Sequence, residues 1–272
     1  MKIIAEIGWN HMGDMTLAEN MIIAASRSGA STVKFQYWDP NILKSGPWDT
    51  DGRREIYHKA FLDDIKINHL IEFSERNGLD FLISVFGTKG ASLMKDLGQE
   101  KIKIPSHEIA NRKLLEYCAT QFEYVYLSAG AASEEEVIHA VEILNRGSCN
   151  YNLMHCVSAY PCNEDRINLR RINWLKTLHP NIGLSDHTQS MLIPALSVSY
   201  GVEAIEKHFT TDNSLPGRDN EFAMNEDAFS IMVANIKEAM DADIDHGLSF
   251  QDIESDTVNN YRGRWEAHDY ES

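Results

Sequence analysis

The feature that most constrains this chain is a sustained alternation of two periodicities. Short runs of β-type composition lie at residues 2–6, 32–36, 80–85, 101–104, 124–128, 152–156, 181–185 and 204–208. Helical patterns fill the intervals, at 16–28, 65–77, 89–97, 113–120, 133–145, 171–178, 192–199 and 226–242. A strand followed each time by a helix has its successor laid parallel to it, because the crossover returns the chain to the same end of the sheet. Eight such units in 272 residues fit a (β/α)8 TIM barrel, whose usual size is about 250 residues. An open doubly wound sheet is the alternative, but no G-x-G-x-x-G turn follows the first strand, which removes that fold's best nucleotide signature. The expected organisation is a catalytic barrel over residues 1–243 and a polar, acidic tail over 244–272 that packs on the barrel or a partner, or is partly disordered.

Local signals agree with the alternation. Ser133 followed by Glu134, Glu135 and Glu136 reads as an N-cap with a capping-box glutamate at the third position. Gly29, Gly78, Gly98 and Gly147 each follow a helical run, where a left-handed residue ends a helix. One interval is unusually long. Residues 37–60 carry Pro40, Gly46, Pro47, Gly52 and several aromatic side chains, and in a barrel this segment falls on the catalytic face as a candidate lid.

Composition excludes several classes. A charged fraction of 24% and an apolar fraction of 43% are those of a folded globular protein. A net charge of −16 argues against a nucleic-acid surface and requires any anionic ligand to be met by local cations. Cys118, Cys149, Cys156 and Cys162 form no C-x-x-C pair, so the expectation is reduced thiols in a cytoplasmic protein. The first residues enter a strand pattern directly, without the features of a secretory leader, and no run approaches the ~18 apolar residues of a membrane span.

Strand alternation sorts the polar residues by face. Glu6 shares a face with Ile4, Lys34 with Thr32 and Gln36, His187 with Ser185, and His208 with Ala204 and Glu206. Each set gains its polar members at the carboxyl end of its run, where barrel enzymes place their chemistry. His187 and His208 lie 21 positions apart, room for one crossover helix, at the ends of runs that would neighbour each other. Adjacent strands are about 4.8 Å apart, so the two imidazoles would emerge side by side and point to a divalent-metal site. A lone strand-end histidine or lysine is more often structural. A set comprising Glu6, Lys34, Lys103, His187, Glu206 and His208 repeats a burial cost that only partners or a ligand offset. Lys34 and Lys103 with the hydroxyls of Ser106, Ser128 and Ser185 form a candidate cradle for phosphate or carboxylate. Two histidines leave metal positions open for Lewis-acid catalysis, and Glu6 is a candidate base. These residue types suit carbon–carbon bond formation between an anionic enol and an aldehyde. They suit a metal-dependent aldolase or hydrolase equally, and a non-catalytic sugar- or partner-binding barrel is a third reading.

The order and spacing of several words resemble the sialic acid (N-acetylneuraminate) synthase family over about residues 2–240. They are Ala5-Glu6-Ile7-Gly8-Trp9-Asn10-His11, Val33-Lys34-Phe35-Gln36, Lys103-Ile104-Pro105-Ser106, Leu127-Ser128-Ala129-Gly130, Met154-His155-Cys156, Gly183-Leu184-Ser185-Asp186-His187 and Ile205-Glu206-Lys207-His208-Phe209-Thr210. The resemblance implies condensation of phosphoenolpyruvate with N-acetylmannosamine or a similar small aldose, giving a sialic or nonulosonic acid and phosphate. It implies His187 and His208 as ligands of a divalent metal, manganese first with magnesium or cobalt as alternatives. Glu6 then lies by the reacting carbons. Lys34, Lys103, Ser106, Ser128 and Ser185 hold phosphoenolpyruvate, and Gln36, Glu108, Tyr160 and Asp219 lie at the substrate site, with Ser158 where the family has an asparagine. Family members are homodimers whose C-terminal antifreeze-protein-like domain gives an arginine to the partner's sugar site. For this sequence the expectation is a single-domain form, with Arg262, Arg264 or a separate chain supplying that cation, or a different acceptor. The family's Gly-Pro-Asp word reads Gly217-Arg218-Asp219, which adds a cation beside the sugar position, as an acceptor bearing phosphate or carboxylate would require.

Overall fold

The computed structural model describes residues 1–266. Eight strands, β1 (Lys2–Gly8), β2 (Thr32–Tyr37), β3 (Asp80–Val85), β4 (Lys101–Ile104), β5 (Tyr124–Ser128), β6 (Asn150–Cys156), β7 (Ile182–Asp186) and β8 (Ala204–His208), pair in chain order and close into a barrel. Every pairing is parallel, including the closing one between β8 and β1. The fold is thus the (β/α)8 barrel that the alternation implies. The helices are α1 (Met15–Arg27), α2 (Arg53–Lys59), α3 (Asp64–Arg76), α4 (Thr88–Asp96), α5 (Arg112–Gln121), α6 (Glu134–Arg146), α7 (Arg171–Leu178), α8 (Ile193–Leu196), α9 (Glu226–Ala242) and α10 (Ser255–Asn260).

The two strand faces build two cores. Outward residues such as Ile3, Ala5, Ile7, Val33, Phe35, Ile83, Ile104, Leu127, Leu153, Leu184 and Ile205 join the helix faces in one apolar layer. Inside the barrel a small plug of Ile4, Leu82, Tyr126, Met154 and Ala204 closes the lumen. Above that plug the inward positions turn polar. The register sets them side by side: Glu6 is level with both Lys34 and His208, Ser84 with Lys103, and Glu206 with both Ile4 and Ser185. A register shift in β1 between Glu6 and Gly8 ends its regular pairing at the level where the site opens.

Most helix ends follow their local chemistry. Ser133 Oγ accepts from the Glu136 N–H while Glu136 accepts from the Ser133 N–H, completing the expected capping box of α6. Asp14, Asp63, Asn111 and Asn225 cap α1, α3, α5 and α9 through their side chains. The expected helix over 192–199 breaks into α8 and a 3-10 turn at Val198–Tyr200. There the Ser197 hydroxyl bonds back to the Pro194 carbonyl, competing with the helical ladder, and Gly201 turns left-handed. The segment at 37–60 is not an open loop: it holds 3-10 turns at Pro40–Ile42 and Pro47–Asp49 and the short helix α2. Beyond α9, Leu248, Phe250, Ile253 and Trp265 are exposed. The four cysteines are free, and no helix among the described residues is long and apolar enough to cross a membrane.

Gly29, Gly78 and Gly98 adopt the expected positive φ, but Gly147 does not: its φ is −83°. Its reason is close approach. A Cβ there would lie 2.4 Å from the Ala119 carbonyl oxygen at the end of α5. Gly147→Ala is therefore expected to destabilise the fold by about 1–3 kcal/mol through overpacking, measured by urea unfolding. A change within about 0.5 kcal/mol, typical of an unconstrained surface site, would contradict the close-approach account.

Candidate active site

The carboxyl ends of the strands open into a cavity of about 940 Å³. Glu6, Lys34, Gln36, Lys103, Ser106, Glu108, Ser128, Tyr160, Ser185, His187, His208 and Asp219 all line it. Ser158 is the exception: it stands just behind the lining, its hydroxyl 3.8 Å from Cys156 Sγ.

The floor is a chain of buried charges. Lys103 Nζ donates to Glu206 Oε2 at 2.6 Å, and Lys34 Nζ lies 3.5 Å from the other oxygen of the same carboxylate. Lys34 also donates to the Ser84 hydroxyl at 2.8 Å and stands 2.8 Å from Glu6 Oε2, an ion pair without hydrogen-bond alignment. Gln36 Nε2 donates to Glu6 Oε1 at 2.6 Å, and Ser185 Oγ donates to Glu206 Oε1 at 3.1 Å. All four charged side chains are less than a tenth exposed.

Burial and neighbours divide the two carboxylates. Burial pushes the Glu6 carboxyl up to about 7, Lys34 opposing and the like charge of Glu206 adding to the shift. Burial acts on Glu206 in the same sense, but Lys103 and Lys34 outweigh it and hold that carboxyl down at about 2. Glu206 is thus a fixed anion, whereas Glu6 exchanges a proton at neutral pH. Burial lowers the Lys103 ammonium despite Glu206, while Lys34, facing both carboxylates, is raised against its own burial.

The two histidines form one wall, their ring centroids 5.4 Å apart. Tyr160 packs on His187 at 4.2 Å between centroids, and Phe222 backs both Tyr160 and His208. His187 Nδ1 lies 2.9 Å from the Val157 carbonyl oxygen, far nearer than the Cys156 sulfur at 3.8 Å. The carbonyl holds a proton on Nδ1, so that in the neutral ring the lone pair stands on Nε2. Burial, then His187 and Lys34, keep His208 well below the usual histidine range, hence neutral, and its Nδ1 has no hydrogen bond. Burial lowers His187, but the Cys156 sulfur and the Val157 carbonyl outweigh it and raise the ring. The two buried imidazoles are nitrogen donors for a divalent cation once that proton is displaced. Among the described residues no group of three His, Cys, Asp or Glu side chains forms a metal cage. An ion held here would keep most of its positions for substrate or water.

A second wall is a cradle of small polar groups. The Gly130 N–H donates to Ser106 Oγ at 3.1 Å, and Ser128 Oγ is buried without a partner. A Cβ on Gly130 would stand 2.6 Å from Ser158 Oγ, 2.8 Å from Ser106 Oγ and 2.9 Å from Cys156 Sγ, so only glycine leaves this space free. Across the cavity, Glu108 accepts from Asn111 Nδ2 at 2.7 Å, and burial raises its carboxyl. Burial likewise raises Asp219 to about 6, and one of its oxygens is 3.6 Å from His208 Nδ1.

The rim comes from the 37–60 segment and the β8 loop. Trp38, Trp48, Arg53 and Tyr57 line the mouth with Trp9, Phe86 and Arg218. Trp9, Trp38 and Tyr57 pack on one another, and the Trp38 indole donates to the Tyr57 carbonyl at 2.8 Å, tying the segment's start to α2. Neither Arg262 nor Arg264 lines the cavity; Arg264 lies over the Tyr261 ring in the tail. The arginines that do line the cavity are Arg53 and Arg218. Sequence reasoning put Glu206 in the polar set by face alternation but gave it no role of its own, and it gave none to Ser84, Gly130 or Arg53.

The sequence and the fold are similar to those of known proteins. A model of the NeuB family matches residues 21–246. The chain is 33% identical to the N,N'-diacetyllegionaminic acid synthase of Legionella pneumophila, over 87% of this chain and 71% of that one. It is 32% identical to the pseudaminic acid synthase of Helicobacter pylori, over 88% and 74%. The crystal structure of N-acetylneuraminic acid (sialic acid) synthetase from Leptospira borgpetersenii superposes with a TM-score of 0.86 at 33% identity, covering 97% of this chain and 91% of that one.

Gly130→Ala is expected to fill the cradle and weaken binding of a phosphorylated enol acid on the order of tenfold or more, as an overpacked site loses well-placed donors. Isothermal titration with phosphoenolpyruvate checks this, and unchanged affinity would show that the cradle does not hold the anion.

Proposed function

The chain belongs to the NeuB family, and on that premise we propose that it condenses phosphoenolpyruvate with an aldose to give a nonulosonic acid and inorganic phosphate. The observation that carries this reading is the floor: two buried lysines in a chain of net charge −16, facing two histidines across one cavity. Local cations of this kind are what a small polyanion requires where the long-range field opposes it.

Each group has a part in the reaction. Lys34 and Lys103 take the negative charge of phosphoenolpyruvate, and the hydroxyls of Ser106, Ser128 and Ser185 direct it. His187 and His208 would hold a divalent cation, manganese by preference, which would supply Lewis-acid polarisation of a carbonyl oxygen. Glu108, Tyr160 and Asp219 orient the sugar. The enol C3 then bonds to the aldehyde carbon, water adds at C2, and the bridging C2–O bond breaks, so phosphate leaves and C2 becomes a ketone. Glu6, held by Gln36 and poised near 7, takes the proton of the adding water. Two substrates held in one dry cavity gain much of their acceleration from proximity alone. Arg218, exposed on the cavity wall and making no ion pair among the described residues, suits an acceptor that carries its own anionic group.

The test is phosphate release from phosphoenolpyruvate with Mn²⁺ over a panel of aldoses, including N-acetylmannosamine, its 6-phosphate, mannose and diacetamido sugars. Sugar-dependent release is expected. Release without sugar, or turnover of a sugar without phosphoenolpyruvate, would favour a hydrolase or aldolase instead. A base must be ionised, and Glu6 is ionised above its pKa, so kcat/KM is expected to rise with pH through a limb near 7. Glu6→Gln should abolish that limb and lower kcat on the order of 10²-fold or more. A limb that survives the substitution would remove Glu6 from this role.

A further inference from the structure

The outward strand face is apolar almost throughout, yet β7 and β8 carry a buried ion pair there that does not line the substrate cavity. Lys207 Nζ donates to Asp186 Oδ2 at 2.5 Å and also reaches the Thr188 carbonyl, the Thr188 hydroxyl at 3.3 Å and the Ser190 carbonyl at 3.4 Å. Asp186 completes the knot by accepting from the Thr188 N–H at 2.9 Å and the Thr188 hydroxyl at 3.0 Å. The two side chains are 2% and 0% exposed. A pair buried this deeply is weak evidence for stability, because desolvation offsets the attraction and an apolar pair would serve as well. Its location gives it another use.

The last ladder pairing between β7 and β8 joins Asp186 to Lys207, so His187 is the first residue beyond the sheet. The His187 carbonyl accepts from the Cys162 N–H, and its ring, packed under Tyr160, is hydrogen-bonded at Nδ1. The ammonium of Lys207 fastens residues on both sides of His187, at 186, 188 and 190. The same residue sits on β8 between Glu206 and His208. One side chain therefore links the segment carrying one histidine to the strand carrying the other.

We propose that Lys207, paired with Asp186, is a positioning residue that fixes the separation of His187 from His208 and so sets the affinity of that pair for a divalent cation. The inference rests on the reading of the two histidines as metal ligands. Groups behind the ligands of a metal typically change its affinity by about 10–100-fold when removed.

The experiment is Mn²⁺ titration of the full chain followed by electron paramagnetic resonance of the free ion, without substrates. Lys207→Met combined with Asp186→Asn replaces both charges by neutral groups of similar size and leaves no unpaired buried charge. Against wild type, this double variant is expected to bind Mn²⁺ at least tenfold more weakly while its affinity for phosphoenolpyruvate changes less than threefold. Gly147→Ala, which strains the fold far from the site, is expected to keep wild-type Mn²⁺ affinity. Equal Mn²⁺ affinity in a folded double variant overturns the proposal, as does a matching loss in Gly147→Ala, which would mark the effect as general loosening. Wild-type protein that binds phosphoenolpyruvate but no Mn²⁺ overturns the histidine reading itself, and the proposal with it.

Discussion

The interaction on which the site depends is the sharing of Glu206 between two buried lysines. Ammonium groups inside a barrel are costly without a counter-charge, and Lys103 and Lys34 meet theirs on opposite oxygens of one carboxylate. With Glu206 fixed as an anion, Lys34 has charge to spare for Glu6, whose carboxyl burial nonetheless holds near 7. Burial thus raises one carboxyl of this pair on adjoining strands while the lysines hold the other low. One anchors cations and the other is free to exchange a proton. In the proposed reaction that division would let one pocket serve both as an anion cradle and as a base.

The barrel makes this arrangement by register rather than by loops. Glu6 is level with Lys34 on one side and His208 on the other, and Glu206 is level with Ser185. A slip of one residue would turn every one of these groups outward. The apolar outer layer holds that register, and the inner plug of Ile4, Leu82, Tyr126, Met154 and Ala204 sets the depth of the floor. The ion pair of Lys207 and Asp186 extends the same control one step past the sheet, where backbone pairing ends and His187 begins.

Much of this was legible in the sequence, because strand alternation is a physical code for which side chains share the lumen. β3, β4, β5 and β8 run over the expected residues, and the lumen-facing lysines, serines and histidines meet as their spacing implies. What escaped was whatever depends on contacts between distant segments. Arg53–Lys59 has no long amphipathic period, so α2 read as loop; the indole of Trp38 and the packing of Tyr57 hold its place. Gly147 looked like a helix stop, but a carbonyl from α5 dictates its size. Gly130 gave no signal because its function is the space it leaves. Arg53 and Arg218 were indistinguishable from other surface cations until the fold showed which ones face the cavity. The arginines of the tail, which the sequence made equally eligible, lie elsewhere.

The central claim is the division of the two floor glutamates, and a direct observation of their ionisation tests it. Protein labelled with 13C at the glutamate carboxyl carbons would be titrated by NMR, with Glu6→Gln and Glu206→Gln assigning the two buried resonances. The account predicts a midpoint near 7 for Glu6 and a Glu206 signal that stays ionised as far down as the fold survives. Midpoints for both near the ordinary glutamate value of about 4.3 would contradict it.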